Sequence, residues 1–251
     1  MTQLEIAVTA PRGARAALAG GADRVELCAG LEMGGLSPSA ALIEQTVLVG
    51  LPVHVLIRPR PGDFVYDDDD LALMEREIVF ALSNGADGVV IGALTNAGDV
   101  DTSALTRLIG AARQVVPEST VTAHRALDQA RDYLGAVSVV AALGVDRILT
   151  SGGEDSAGDA LANLAAVRQL YPGVQLMAGG GVTLAQVPAI RQVGVDAVHS
   201  SAKKPVAPAW RSHARLGVAA DPNANVSHYD TDEEMVRSLR AALTDASSLS
   251  G

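Results

Sequence analysis

Cysteine is scarce in this chain, and long apolar runs are absent. The one cysteine among 251 residues, Cys28, excludes an internal disulfide framework and favours a reducing cytoplasm. No stretch approaches the roughly 20 apolar residues that span a bilayer. The N-terminus also lacks the basic and apolar regions of a secretory signal. We therefore expect a cytoplasmic protein without a membrane partner.

The charge balance argues against nucleic acid as a partner. Acidic residues outnumber lysine and arginine by 29 to 19, which gives a formal charge of −10. Binding to phosphate backbones needs clustered cations, which this composition does not supply. Apolar residues make up 48% of the chain, enough for one large core. The length is common for a barrel that forms a single domain.

Eight short apolar runs of strand length recur along the chain. Most of them lack the alternation of a half-exposed sheet, which is typical of parallel strands buried on both faces. Segments with helical spacing lie between them. The runs are residues 4–8, 24–28, 53–57, 88–93, 120–124, 147–151, 174–178 and 196–200.

The turns that precede the predicted strands also follow a repeating pattern. GAD or GVD precedes every even-numbered run, and a proline-containing turn precedes runs three, five and seven. Glycine ends a helix in left-handed geometry, so these turns mark alternating helices and strands. An open doubly wound sheet is one alternative, but eight similar units favour closure. We predict an α/β protein, a single-domain (β/α)₈ TIM barrel over 1–251. A basic loop should cover 203–230, and the last helix should lie within 231–246.

Polar residues occupy the carboxyl ends of the predicted strands, where barrel active sites lie. Side-chain alternation points them into the barrel. Such a cluster is costly to bury unless it is paired, and it usually marks a working site. The alternative is a structural ion-pair layer, for example Glu26 with Arg58. The inward-facing polar residues on this criterion are Glu5, Glu26, Arg58, His124 and His199.

A glycine-rich turn, MAGGGVT, follows the seventh strand. The loops after strands seven and eight form the usual phosphate cradle of this fold, although a glycine run is also compatible with a simple tight turn. Hydroxyl groups and a guanidinium from neighbouring strand ends are expected beside it. The predicted ligand-binding residues are Arg125, Ser151, Gly179, Gly180, Gly181, His199, Ser200 and Ser201.

The segment 203–217 contains no acidic residue and holds both lysines of the chain. In a protein of negative charge, this segment beside an anion cradle is a candidate lid over an anionic ligand. The alternative is a solvated connection to the last helix.

Seven motifs in order resemble the CutC family, whose members are called copper homeostasis proteins. The resemblance covers residues 22–202 and implies a (β/α)₈ barrel, a cytoplasmic location and Cu(I) binding. By motif, the family's shared barrel mouth corresponds here to Glu26, Cys28, Arg58, His124, Arg125, Ser151 and His199. The motifs are ADRVELCAGLEMGGLSPS, IRPRPGDFVY, GADGVVIGALTNAGDVD, TAHRALD, DRILTSGG, MAGGGVT and VHSSA.

Cys28 is the expected metal ligand if copper binds. Soft-metal sites generally use two or three thiolate, thioether or imidazole donors, and only methionines and histidines are left to supplement this thiol. The alternative is an inert buried thiol. Copper as ligand or cofactor is thus implied by the family name alone.

Two functions remain open from the sequence. The first is a copper homeostasis protein. The second is a barrel enzyme for a small anionic metabolite, phosphorylated or not. In the enzyme, the catalytic candidates are Glu26, Arg58 and His124: His124 moves protons, while Glu26 and Arg58 orient the reacting group. A barrel of this size is also compatible with a homodimer.

Overall fold

The protein is a closed parallel barrel of eight strands. A computed structural model describes residues 2–207 and 228–244. The strands follow one another around the barrel in chain order, and β1 closes it against β8. They are β1 (Gln3–Val8), β2 (Arg24–Leu27), β3 (Val53–Leu56), β4 (Gly88–Ile91), β5 (Thr120–Ala123), β6 (Arg147–Thr150), β7 (Gln175–Ala178) and β8 (Ala197–Ser200).

Eight helices surround the barrel, which confirms the predicted (β/α)₈ fold. No helix in the described ranges is long and apolar enough to cross a membrane. The helices are α1 (Pro11–Gly20), α2 (Ala40–Val47), α3 (Asp68–Ser83), α4 (Thr102–Val115), α5 (Tyr133–Ala142), α6 (Leu161–Leu170), α7 (Val187–Gln192) and α8 (Glu233–Thr244).

The strands lack alternation because both of their faces are covered. Every residue of β2, β3, β4 and β6 is buried. Side chains such as Val25, Val55 and Ile91 belong to the main hydrophobic core. Two smaller apolar clusters are separate from that core: one contains Cys28, Leu56 and Val90, and the other Leu149, Met177 and Ala197.

The GAD and GVD turns end helices as expected. Their glycines have φ values between 80° and 91°, in the left-handed region. The aspartate of each turn has a further role, because its carboxylate accepts the backbone N–H of the preceding odd-numbered strand. Asp23 accepts from Leu4 at 2.6 Å, and Asp87 accepts from Val53 at 2.8 Å. The same bond joins Asp146 to Val121 and Asp196 to Leu176. The two-unit repeat therefore links the strands in pairs.

The segment after β8 differs from the predicted basic loop. Residues 203–206 form a strand, β9 (Lys203–Val206), which pairs antiparallel with β10 (His228–Thr231). Lys203 packs its ammonium over the Tyr229 ring, 4.6 Å from the centroid. Most of the predicted lid, including Arg211 and Arg215, lies outside the described residues. The last helix spans Glu233–Thr244, inside the range predicted for it.

Candidate functional site

A cavity of about 300 Å³ opens at the carboxyl ends of the strands. Apolar side chains, among them Leu31, Leu56 and Phe64, form part of its wall. The structure brings most of the predicted site residues into this lining. They are Glu26, Arg58, His124, Arg125, Gly180, Gly181, His199, Ser200 and Ser201.

Two carboxylates flank His199 at this cavity. Its Nδ1 lies 2.8 Å from Glu5 Oε1, and its Nε2 lies 3.6 Å from Glu26 Oε2. Barrel closure causes this arrangement, because Glu5 and His199 are register partners between β1 and β8. Arg24 anchors the far end and donates from Nε to Glu5 Oε2 at 2.5 Å. Arg24, Glu5, His199 and Glu26 therefore form a continuous chain of ionisable side chains from the barrel interior to the cavity.

The protonation of this chain follows from burial and charge. Burial would raise the pKa of Glu5, but hydrogen bonding to His199 and the charge of Arg24 hold it well below its usual range. Burial raises the pKa of Glu26 to about 7, against the attraction of His199 and with added repulsion from Glu5. Burial disfavours the His199 imidazolium, but Glu26 and Glu5 outweigh it and raise the pKa. Glu26 therefore exchanges its proton near neutral pH.

Arg58 does not pair with Glu26, so the alternative of an ion pair between them is wrong. Its Nη1 donates to the carbonyls of Met33 and Gly35, each at 2.9 Å, and its Nη2 donates to that of Gly62 at 2.8 Å. Its Nε is buried without a partner. Within the described ranges, this guanidinium, only 6% exposed, has no carboxylate partner. The loops around β3 thus hold a buried, uncompensated positive charge.

His124 is held as a neutral imidazole. Its Nδ1 accepts the N–H of Ala126 at 3.1 Å, so the ring proton lies on Nε2. Burial, followed by the charge of Arg58, lowers its pKa to about 3. The Nε2 atom is buried and has no hydrogen-bond partner in the described part of the chain. At neutral pH His124 is therefore suited to donate a hydrogen bond, and it is too acidic when protonated to act as a general base.

The glycine turn after β7 presents free backbone donors. Gly180 and Gly181 have φ values of 100° and 62°, which favour glycine. The N–H groups of Gly180, Gly181 and Val182 donate to no acceptor within the described ranges, and all three residues line the cavity. Gly179 is buried instead: a side chain there would meet Leu149 and His199. Successive backbone amides without acceptors are a common feature of anion-binding sites in proteins.

Arg125 is positioned beside this turn by groups that the sequence analysis had only partly identified. Its Nε donates to Asp128 and its Nη2 donates to Ser151 Oγ, each at 2.9 Å. Ser151 is fully buried and lies outside the cavity lining, so it supports Arg125. Asp128 was missed, although its place three residues after Arg125 is a detectable signal.

Cys28 points into the barrel interior but does not line the cavity. It is fully buried beside Leu56 and Val90. Burial, with smaller contributions from Glu26 and Glu32, raises the pKa of its thiol well above the usual range. The described residues contain no cluster of three or more histidine, cysteine, aspartate or glutamate side chains able to hold a metal ion. A protonated, enclosed thiol does not fit a Cu(I) site.

A second cluster of polar side chains fills the amino-terminal half of the barrel. The sequence analysis did not identify most of its members. Arg147 contacts His54 Nδ1 at 3.0 Å and donates to Gln175 at 2.9 Å. His54 lies 3.7 Å from Glu5 and so joins this group to the charged chain. The strand parity that placed Glu26 inside also places Arg24 and Arg147 there, so the signal was present.

Comparisons with known proteins agree on one family. The model of the CutC family matches residues 2–204. A CutC family protein of Xanthomonas campestris pv. campestris (strain B100) is 40% identical over 248 residues, which cover 97% of this chain and 99% of that protein. One of Rhizobium meliloti (strain 1021) is 38% identical over 242 residues, 96% of this chain and 95% of that protein.

A solved structure gives the same result. The crystal structure described as a copper homeostasis protein CutC from Streptococcus agalactiae aligns with a TM-score of 0.72 and 30% identity. The alignment covers 80% of this chain and 99% of that one. The chain belongs to the CutC family.

Proposed function

We propose that this CutC-family protein is a cytoplasmic enzyme that transfers protons on a small anionic metabolite. The observation that carries the proposal is the Glu26–His199 pair in the cavity wall. A carboxyl group that titrates near neutral pH, inside a cavity, is the usual form of a general acid or base.

The cavity supports an anionic ligand through its uncompensated charge. Among the described residues, the buried guanidinium of Arg58 donates to neutral carbonyls, lies over the Phe64 ring and has no carboxylate partner, and a buried charge is stable when an opposite charge pairs with it. At the other side, Gly180, whose N–H donates to no acceptor among the described residues, packs against the Arg125 guanidinium. A negatively charged ligand would satisfy both sets of donors.

In the proposed mechanism the ionised Glu26 removes a proton from the bound ligand and later returns one. His199, held as an imidazolium by Glu5, stabilises the ionised state of Glu26. His124 donates from Nε2 to an oxygen on which negative charge develops. This role replaces the expectation that His124 itself moves protons, because its pKa of about 3 keeps it neutral.

The test is turnover of a mixture of small carboxylated and phosphorylated metabolites, followed by NMR. We expect the wild type to convert at least one component and Glu26→Gln to lose 10²-fold or more of that rate. Glu75→Gln is the matched control, since Glu75 pairs with Arg107 between α3 and α4, away from the cavity. Equal turnover by Glu26→Gln and the wild type would remove Glu26 from the mechanism.

The pH dependence follows from the same pair. Because Glu26 must be ionised to accept a proton, the rate should rise as pH increases through about 7. It should fall once His199 loses its proton, which Glu5 and Glu26 hold to a higher pH than in an ordinary imidazole. The rise and the fall of the rate with pH both report the coupled Glu26–His199 pair rather than either residue alone.

Copper homeostasis is the second candidate, and it comes from the name of the Streptococcus agalactiae relative. A copper role without a thiolate site would need donors other than Cys28. The enclosed thiol therefore favours the enzyme over the copper-binding function in this chain.

A further inference from the structure

We infer that the ligand is a bifunctional acid, with a carboxylate bound beside Arg58 and a phosphoryl group bound by the turn Gly180–Val182. This inference rests on the proposed function and adds the substrate class. It predicts two separate binding ends in one cavity, which we call the Arg58 end (Arg58 and His124) and the turn end (Gly180, Gly181 and Val182).

The barrel topology puts these two ends across the cavity from each other. Arg58 follows β3 and Gly180 follows β7, and in a closed barrel of eight consecutive strands these two are four strands apart. Glu26 and His199 come from β2 and β8, the two neighbours of β1. A ligand that reaches both ends therefore passes beside the Glu26–His199 pair.

The Arg58 end matches a carboxylate. Arg58 Nε and His124 Nε2 are both N–H donors, both are buried without a partner in the described residues, and both side chains are 6% exposed. Two N–H groups suit the two oxygens of a carboxylate, and the guanidinium supplies the opposite charge. Buried donors without acceptors are costly, so a bound carboxylate relieves an existing penalty.

The turn end matches a phosphoryl group. Three consecutive backbone N–H groups there have no acceptor in the part of the chain that the structure describes, and a phosphoryl group offers three oxygens. Ser200 and Ser201 line the same side of the cavity and supply hydroxyls. The neighbouring Arg125 guanidinium adds positive charge, although Asp128 partly neutralises it.

Phe64 reports on the Arg58 end. Its ring centroid lies 4.9 Å from the Arg58 guanidinium carbon and 5.0 Å from the His124 ring centroid. Because this ring packs against both side chains that carry the donors, a ligand oxygen bound there should change the environment of the ring. The chain has two phenylalanines, and the other, Phe80, lines a separate groove with Ser37 and Ile43. Phe80 is therefore an internal control.

The first experiment compares three probes on the wild-type protein by calorimetry: propionate, propylphosphonate and 3-phosphonopropionate. We expect 3-phosphonopropionate to bind on the order of 100-fold more tightly than either of the others, because one linker joins both anionic groups. If propylphosphonate binds equally well, the inference is overturned while an anion-binding cavity stands. If none of the three binds at millimolar concentration, both the inference and the proposed function are overturned.

The second experiment locates the carboxylate by ¹⁹F NMR of protein labelled with 4-fluorophenylalanine. We expect 3-phosphonopropionate to shift the Phe64 signal and leave Phe80 unchanged, with Phe80→Leu used for assignment. Propylphosphonate should move neither signal. A Phe64 signal that stays in place under saturating 3-phosphonopropionate would contradict the Arg58 end.

The Arg58→Lys variant tests ligand binding at the Arg58 end separately from binding at the turn end. Arg58→Lys keeps the charge but removes Nε, so 3-phosphonopropionate should bind no better than propylphosphonate, whose own affinity stays unchanged. Arg131→Lys is the control, because Arg131 is exposed and pairs with Asp99. A retained preference of Arg58→Lys for the bifunctional probe would overturn the inference. The wild-type comparison remains decisive if this variant fails to fold.

Discussion

At the scale of residues, burial determines which of the titratable side chains on the barrel strands can take part in chemistry. Cys28 and Glu26 are two positions apart on β2, and burial raises the pKa of both. For the carboxyl group the result is titration near neutral pH, which suits proton transfer. For the thiol the result is a pKa well above the usual range, which keeps it protonated near neutral pH and makes it a poor nucleophile and metal ligand. Burial therefore makes the Glu26 carboxyl group suitable for proton transfer and makes the Cys28 thiol unreactive.

The prediction at this scale concerns copper. In a titration of reduced protein with Cu(I) against a competing chelator, we expect the wild type and Cys28→Ala to behave alike, because the thiol is enclosed and protonated. Stoichiometric binding that outcompetes the chelator and disappears in Cys28→Ala would contradict this. It would also make copper binding the better account of the family resemblance.

At the scale of elements, the strands are joined in pairs by the aspartates of the GAD and GVD turns. Each carboxylate accepts a backbone N–H at the start of the neighbouring strand, so the turn sequence also fixes that strand's position. Asp87 is the simplest case, because Asp23, Asp146 and Asp196 also pair with arginines. The GAD and GVD repeat of the sequence thus corresponds to a repeated hydrogen bond between an aspartate carboxylate and the backbone of the neighbouring strand.

Removal of one such bond gives the prediction at this scale. Asp87→Ala should lower the free energy of unfolding by about 1 to 3 kcal/mol, the typical cost of a buried donor left without an acceptor, because Val53 is 1% exposed. Chemical denaturation measures it, with Asp155→Ala, at an exposed position in the loop after β6, as the control. Equal stability of both variants would mean that the carboxylate does not position β3.

At the scale of the whole molecule, the fold was predictable and the partners of site residues were only partly so. Eight apolar runs and their alternating turns predicted the barrel, and strand parity predicted that Glu5, Glu26 and His199 face inward. The sequence does not contain the register of barrel closure, which is what sets Glu5 against His199. Nor does it reveal that Arg58 binds backbone carbonyls, because loop conformation determines where those carbonyls lie.

Two further residues have tertiary partners. Ser39 caps α2, while Ser37 accepts the N–H of Arg58. His54 belongs to the polar interior cluster through Arg147. In both cases the partner lies far along the chain, so local sequence patterns do not identify it.

The pKa of the Glu26 carboxyl group, measured by ¹³C NMR of glutamate-labelled protein with Glu26→Gln for assignment, tests the proposed proton-transfer site most directly. We expect a value near 7, because burial outweighs the attraction of His199. A value near 4.5, the ordinary value for glutamate, would show a solvated carboxylate and contradict the proposed proton-transfer site.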